Sequence, residues 1–246
     1  MKKLENKVAI ITGGTSGIGE SCAKAFAENG ASVIITGRNK NKGLEVEKKI
    51  NNFGGCAKYI YCDVTVEEEV KKLIEKTVEY FNGIDILFNN AGVFLPSLEL
   101  DRLEFDSWNQ TFKVNTDGYF LVTKYVMPYL LKSKGVILNN ASIAGMQSYA
   151  RGCSYAYSAS KAAVIQFSRM LAKNYARDGV RVNCICPGII ETPILHDCDL
   201  RMYAERIPMG RVGVPEDVSK VAVFLVSNDA AYLTGIVIPV DGGASI

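Results

Sequence analysis

The stretch Lys7-Val-Ala-Ile-Ile-Thr-Gly-Gly-Thr-Ser-Gly-Ile-Gly19 sets a short β-rich apolar run against a glycine-rich turn. An amphipathic pattern comes next and stops at Gly30, a residue suited to end a helix. Strand, glycine turn and helix in that order form the first half of a βαβ unit. Gly13, Gly17 and Gly19 let the chain turn tightly and bring backbone close to a ligand. The N–H groups that open the helix then suit an anion such as a pyrophosphate. The spacing is G-x-x-x-G-x-G, so its meaning depends on the strand–loop–helix context; a purely structural turn is the alternative.

Working outward, the same alternation runs through the chain. The first strand is Lys7–Thr12 and its helix Ser16–Asn29. Ser32–Thr36 is the second strand, and Asn39 is placed to cap a helix reaching about Phe53. Ala57–Tyr61 is the third, then Thr65 and Glu68 stand at capping-box spacing for a helix to about Phe81. Ile84–Asn89 is the fourth strand, and a long helix spans about Ser107–Lys132, able to bend near Pro128. Val136–Asn140, a helix at Tyr155–Arg177, Arg181–Cys186, a helix at Pro215–Val226 and Ile236–Val240 complete the pattern. Seven strands separated by helices predict an α/β, doubly wound, seven-stranded parallel sheet covered on both faces. One domain spanning 1–246 is expected. Thr192–Met209 comes after a strand end without strong periodicity and reads as a substrate lid.

Composition narrows the function classes. The 246 residues are 48% apolar and 22% charged, ordinary for a globular protein. Lys and Arg total 28 against 26 Asp and Glu, a net charge of +2 that argues against a duplex-binding protein. No apolar run is long enough for a membrane-spanning helix, and the charged start lacks a signal-peptide core. A cytoplasmic protein without nucleic-acid or membrane partners is expected. The seven cysteines, including Cys184 and Cys186 within an apolar strand pattern, read as small buried hydrophobes. The lone His196 cannot build a multi-histidine zinc site, so no metal is expected.

Two local features carry chemistry. The end of the second strand reads Thr36-Gly-Arg-Asn-Lys40, without the carboxylate that would bind the ribose hydroxyls of NAD. Arg38 can instead pair a 2′-phosphate through two N–H donors, which favours NADP(H) over NAD(H); an ordinary surface arginine is the alternative. Tyr157-Ser-Ala-Ser-Lys161 places a phenol and an ammonium on one helix face. A phenol titrates near 10 and a nearby ammonium favours its phenolate, moving it toward useful acid–base range. A plain aromatic–lysine pair on a helix surface is the alternative.

From Lys7 to Gly243 the chain resembles the short-chain dehydrogenase/reductase family. The resemblance rests on the glycine loop, Asn89-Asn-Ala-Gly92, Asn115, Ser142, the Tyr157/Lys161 pair, Pro187-Gly188 and Val240-Asp-Gly-Gly243, in the family's order. It implies a Rossmann-type fold and hydride transfer between a nicotinamide cofactor and an alcohol or ketone. It implies that Tyr157 moves the proton, Lys161 lowers its pKa and bonds the nicotinamide ribose, and Ser142 holds the substrate oxygen. Asn115 would support a water-linked proton relay through Lys161; alone it could equally be a polar residue bonding its own helix. The cofactor set would be Gly13, Thr15, Ser16, Gly17, Ile18 and Gly19 at the phosphates, with Arg38, Asp63 and Val64 at the adenosine. Asn90, Ala91, Gly92, Pro187, Gly188, Ile190 and Thr192 would line the rest, together with Tyr157 and Lys161. Asp63 could instead only form a turn. A homotetramer is implied as well.

Two departures bear on the substrate. Ser142 and Tyr157 stand two residues further apart than the family's usual spacing, which points to an insertion within Ser148–Ser154. Ala141 stands where the family often has a second serine. The expected pocket walls are Phe94, Leu95, Pro96, Met146, Tyr149, Tyr155, Ile194, Leu195, Met202 and Tyr203, which suits an apolar ketone or alcohol such as a hydroxysteroid or bile acid. A 3-oxoacyl carrier-protein reductase is the enzymatic rival. Against it, Pro128 and Asp178 fall where a basic carrier-docking residue is expected, although Lys132, Lys134, Lys173 and Arg177 are near. A non-catalytic NADP-binding sensor is the rival of another class. A methyltransferase would also need the glycine turn but not Tyr157 and Lys161.

Overall fold

A computed structural model describes residues 2–95, 99–147, 154–193 and 200–246. Its centre is a seven-stranded parallel sheet in the order β3-β2-β1-β4-β5-β6-β7. The strands are β1 Val8–Thr12, β2 Ser32–Gly37, β3 Cys56–Tyr61, β4 Ile86–Asn89, β5 Val136–Asn140, β6 Arg181–Pro187 and β7 Val237–Val240. The helices are α1 Gly17–Glu28, α2 Lys40–Asn52, α3 Glu67–Phe81, α4 Phe105–Phe112, α5 Gly118–Ser133, α6 Tyr155–Tyr175, α7 Leu200–Ala204 and α8 Pro215–Val226.

Every residue of β1, β4 and β5 is buried, as expected of strands covered on both faces. Alternation then sorts their side chains into two cores. Ile11 and Ile35 join Phe26 of α1, Ile50 of α2 and Val218 of α8 on one face. Ile10 and Ile34 join Leu73 of α3, Val126 of α5 and Ala172 of α6 on the other. β1 pairs with β2 on one side and β4 on the other, so the strand order reverses between Thr12 and Asn89. Open α/β sheets bind ligands at such a reversal, beyond the carboxyl ends of the strands.

Several local expectations need correction. The helix expected at Ser107–Lys132 is two helices, α4 and α5, joined by a π-helical turn at Lys113–Asp117. Asn115 lies inside that turn, and its side chain bonds outside the helix, which stabilises the extra residue. The Thr65–Glu68 capping box does not form. Asp63 takes the Thr65 hydroxyl at 2.8 Å, Glu69 rather than Glu68 accepts from the Asp63 N–H at 2.7 Å, and Val66 becomes the cap. Cys22, Cys62, Cys184 and Cys186 are buried as expected, whereas Cys56 is exposed at the start of an edge strand; Cys153 and Cys198 lie outside the described residues. Asn39 caps α2 as the sequence suggests, accepting from the Lys42 N–H at 3.0 Å.

Candidate active site

The glycine loop is built around Thr12. Its hydroxyl accepts from the backbone N–H of Asn90 at 2.9 Å and of Ala91 at 3.0 Å, joining the ends of β1 and β4. The Asn90 side-chain amide donates back to the Thr12 and Gly13 carbonyls at 3.0 and 3.1 Å. Gly13 has φ +63° and Gly17 φ +54°, a region L side chains rarely enter. A Cβ on Gly19 would stand 2.2 Å from the Gly13 carbonyl oxygen, so α1 begins directly against the loop.

Ser16 occupies the cap position of α1 without a side-chain cap bond, so the helix start relies on other acceptors for its N–H groups. That arrangement fits a pyrophosphate. Thr15 lies against Gly37, and Ile18 packs against the core. Thr192 approaches Gly17 from across the loop, within 3.1 Å of where a Cβ would be. Ile190 is buried and bridges to Gly213. Gly188 donates its N–H to the Val240 carbonyl at 3.0 Å, fixing the turn after Pro187 to the last strand.

At the adenosine side, Arg38 comes directly after β2 with a side chain 62% exposed. Its guanidinium reaches Asp63 at 3.9 Å, a loose pairing that leaves donors for another anion. An open cavity of about 530 Å³ is lined by Arg38, Asn39, Lys40 and Asn41. Asp63 also accepts from the Thr65 N–H at 3.0 Å, so it forms the turn that the sequence offered as one reading. Val64 is buried against Gly118, at the start of α5.

The proton-handling group lies on α6. Ser154 caps this helix, accepting from the Tyr157 N–H at 3.5 Å. Lys161 is one turn on and only 3% exposed. Its Nζ donates to the Asn140 backbone carbonyl at 2.7 Å and lies 5.6 Å from the Tyr157 ring centroid. Burial lowers its pKa from 10.5 to about 8. Phe94 meets the Tyr157 ring edge-on at 5.1 Å. The Ser142 hydroxyl accepts from the Ala144 N–H at 3.1 Å and starts the 3₁₀ turn Ile143–Gly145, which leans on α6 at Lys161.

Asn115 does not bond its own helix. Its carbonyl oxygen accepts from the Val93 N–H at 2.9 Å, and its amide donates to the Val93 carbonyl and the Ser160 hydroxyl, both at 3.1 Å. It therefore clamps the segment after Gly92 to α6. Gly92 itself passes between Asn115 and Lys161. The structure thus gathers Asn90, Ala91, Gly92, Asn115, Tyr157 and Lys161 at the end of β4 and β5. Sequence reasoning passed over Thr12, Tyr119 and Asn140, all of which hold this group through hydrogen bonds. Two polar residues closing apolar strands, Thr12 and Asn140, were the available signal.

Of the expected pocket walls, Phe94, Leu95, Met146, Tyr155, Met202 and Tyr203 are described, and Met146, Tyr155 and Met202 are exposed. Pro96, Tyr149, Ile194 and Leu195 lie outside the described residues, as do 148–153 of the insertion and 194–199 of the lid. Among the described residues, no group of three or more His, Cys, Asp or Glu could hold a metal, and no helix is long and apolar enough to cross a membrane.

The family model described as enoyl-(acyl carrier protein) reductase matches residues 13–245. A 3-oxoacyl-acyl-carrier-protein reductase of Thermotoga maritima is 38% identical, over 99% of this chain and 100% of its own. A meso-2,3-butanediol dehydrogenase of Serratia marcescens is 36% identical, over 99% of this chain and 96% of its own. A solved short-chain dehydrogenase/reductase from Mycobacterium marinum superposes with a TM-score of 0.93 at 31% identity, covering 99% of this chain and 97% of that one. Because the family model and these relatives each span nearly the whole chain, the chain belongs to the short-chain dehydrogenase/reductase family, NAD(P)(H)-dependent oxidoreductases that act on CH–OH groups.

Proposed function

We propose that this oxidoreductase interconverts a secondary alcohol and a ketone on an apolar framework, such as a hydroxysteroid or bile acid, with NADP(H) as the preferred cofactor and NAD(H) as a weaker one. The observation that carries the reading is Lys161 held in a dry site beside Tyr157, with Phe94 against the phenol ring. When bound, the cofactor supplies or accepts the hydride at nicotinamide C4. Tyr157 gives its phenolic proton to the ketone oxygen and takes it back in oxidation. The Lys161 ammonium favours the phenolate left behind, an effect strengthened by the low dielectric around it. Ser142, whose oxygen already accepts from Ala144, meets the substrate oxygen as a donor and stabilises its developing charge.

Asn115 keeps Gly92 and Val93 in line with α6 and supports proton supply to Lys161. The glycine loop seats the pyrophosphate, and Gly188, Ile190 and Thr192 close over the nicotinamide end. Arg38 supports the choice of NADP(H), since its guanidinium carries free donors for a 2′-phosphate and the end of β2 carries no carboxylate to repel one.

The Thermotoga relative favours a second reading, reduction of a 3-oxoacyl thioester on a carrier protein. Exposed Lys132, Lys134, Lys173 and Arg177 could greet an acidic carrier, whereas exposed Pro128 and Asp178 weaken that docking face. An NADPH turnover panel separates the readings. Activity on cyclic apolar ketones supports the first. Activity confined to carrier-linked thioesters supports the second, and activity confined to sugars contradicts both.

A further inference from the structure

Beneath Lys161 lies a phenol that the reaction does not consume. Tyr119 stands at the start of α5, one turn after Asn115, and is 1% exposed. Its hydroxyl donates to the Asn140 backbone carbonyl at 2.9 Å. Lys161 donates to the same oxygen at 2.7 Å, with its Nζ 5.4 Å from the Tyr119 ring centroid. A carbonyl oxygen offers two lone pairs, and here α5 takes one and α6 the other. Burial raises the Tyr119 pKa well above its usual value, so this hydroxyl stays protonated and remains a donor.

Asn140 is itself tethered. Its side-chain amide donates to the Asn90 side-chain oxygen at 2.8 Å, and Asn90 grips the Thr12 and Gly13 carbonyls. The carbonyl that carries the ammonium is therefore joined, through two asparagines, to the glycine loop. A lysine side chain has about 2 kcal/mol of rotamer entropy to lose, so one fixed acceptor largely determines where its charge sits.

We propose that Tyr119 is a positioning residue for Lys161: its hydroxyl, with the Asn140 side chain, holds the shared carbonyl so that the ammonium stays registered between Tyr157 and the glycine loop. This rests on the reading that Tyr157 and Lys161 move the proton. The titratable groups facing Lys161 are Tyr157 on α6, Tyr119 on α5, and Cys184 and Cys186 on β6.

Tyr119→Phe removes one oxygen and keeps the ring. The expected result is NADPH affinity close to wild type, unchanged KM, and kcat lower by about 3- to 10-fold, the loss of one hydrogen bond. The alkaline limb of the kcat profile should move to higher pH, because a competing donor has left the carbonyl that holds the ammonium. The same shift is readable without turnover, by NMR titration of the nitrogen-labelled Lys161 ammonium in the cofactor-free protein. Wild-type kcat, pH profile and lysine titration in Tyr119→Phe would overturn the proposal, as would lower kcat with both titrations unmoved. A wild-type enzyme inactive on every carbonyl would sink the functional reading, while the lysine titration would still decide the role of Tyr119. Should the variant not fold, the wild-type protein decides: a slowly exchanging Tyr119 hydroxyl proton near Lys161 is expected, and its absence overturns the inference.

Discussion

Lys161 shows how one residue links stability, pH and chemistry. Burial lowers its pKa from 10.5 to about 8 in the folded chain. Below about pH 8 the lysine is charged in both folded and unfolded chains, and the full desolvation penalty opposes folding. Between about pH 8 and 10.5 the unfolded chain holds the proton and the folded chain does not, so the penalty is progressively relieved as pH rises. Lys161→Met should therefore raise the cofactor-free Tm at pH 7, against an unfavourable term on the order of 3 kcal/mol. The gain should shrink as pH approaches 10.5. A lower Tm at pH 7 would show that the hydrogen bond to Asn140 outweighs the burial penalty.

Other side chains act more locally. Tyr157→Phe should bind NADPH normally and lose turnover by at least about a hundredfold, the scale of a positioned acid–base group. Arg38→Asp should weaken NADPH roughly tenfold or more while sparing NADH, measured as Kd for each cofactor. If wild-type protein already prefers NADH, Arg38 has been misread.

At the scale of elements, the glycine loop and α1 leave no room for substitution at Gly19. A methyl there would lie 2.2 Å from the Gly13 carbonyl oxygen and 2.5 Å from the Asn90 amide. Gly19→Ala should destabilise the protein by roughly 1–3 kcal/mol, seen in denaturant unfolding, and abolish NADPH binding. A variant that folds and binds as wild type would mean that the loop is looser than its contacts suggest.

The elements also show what the sequence carried and what it hid. Strand alternation and glycine stops placed all seven strands, because each strand is a short apolar run and the central ones are buried on both faces. The turn at Asn115 escaped periodicity because the stretches on either side, α4 and α5, each keep a helical period, and a single extra residue between them carries no composition signal of its own. Asp63 and Thr65 escaped for a different reason. Thr65 spends its hydroxyl on Asp63, and Glu69 reaches back to the Asp63 N–H, so the helix starts at Val66 without a side-chain cap. In the candidate site, Tyr157 and Lys161 were legible as a pair on one helix face. The Thr12–Asn90–Asn140 connection was not, because it joins three strand ends that only the folded sheet brings together.

At the scale of the whole molecule, we propose that one sheet serves both cofactor and substrate and that the segment after β6 sets selectivity. The far end of the expected lid is anchored: Met209 donates its N–H to the Gly242 carbonyl at 3.1 Å, and Ile207 is buried. Exposed Phe105, Phe120 and Met170 on α4, α5 and α6, with Tyr232 fully exposed, leave apolar surface for the homotetramer that we propose. Light scattering should give a tetramer mass; a monomer mass at micromolar concentration would contradict it.

The central claim is direct hydride transfer to an apolar ketone with Tyr157 supplying the proton. Its most direct test is transfer of label from NADPH carrying two deuteriums at nicotinamide C4, with mass spectrometry of the alcohol product. One deuterium should appear on the carbinol carbon with wild-type enzyme, and labelled product should form at least about a hundredfold more slowly with Tyr157→Phe. Unlabelled product, or labelled product at the wild-type rate without the tyrosine hydroxyl, would contradict the account.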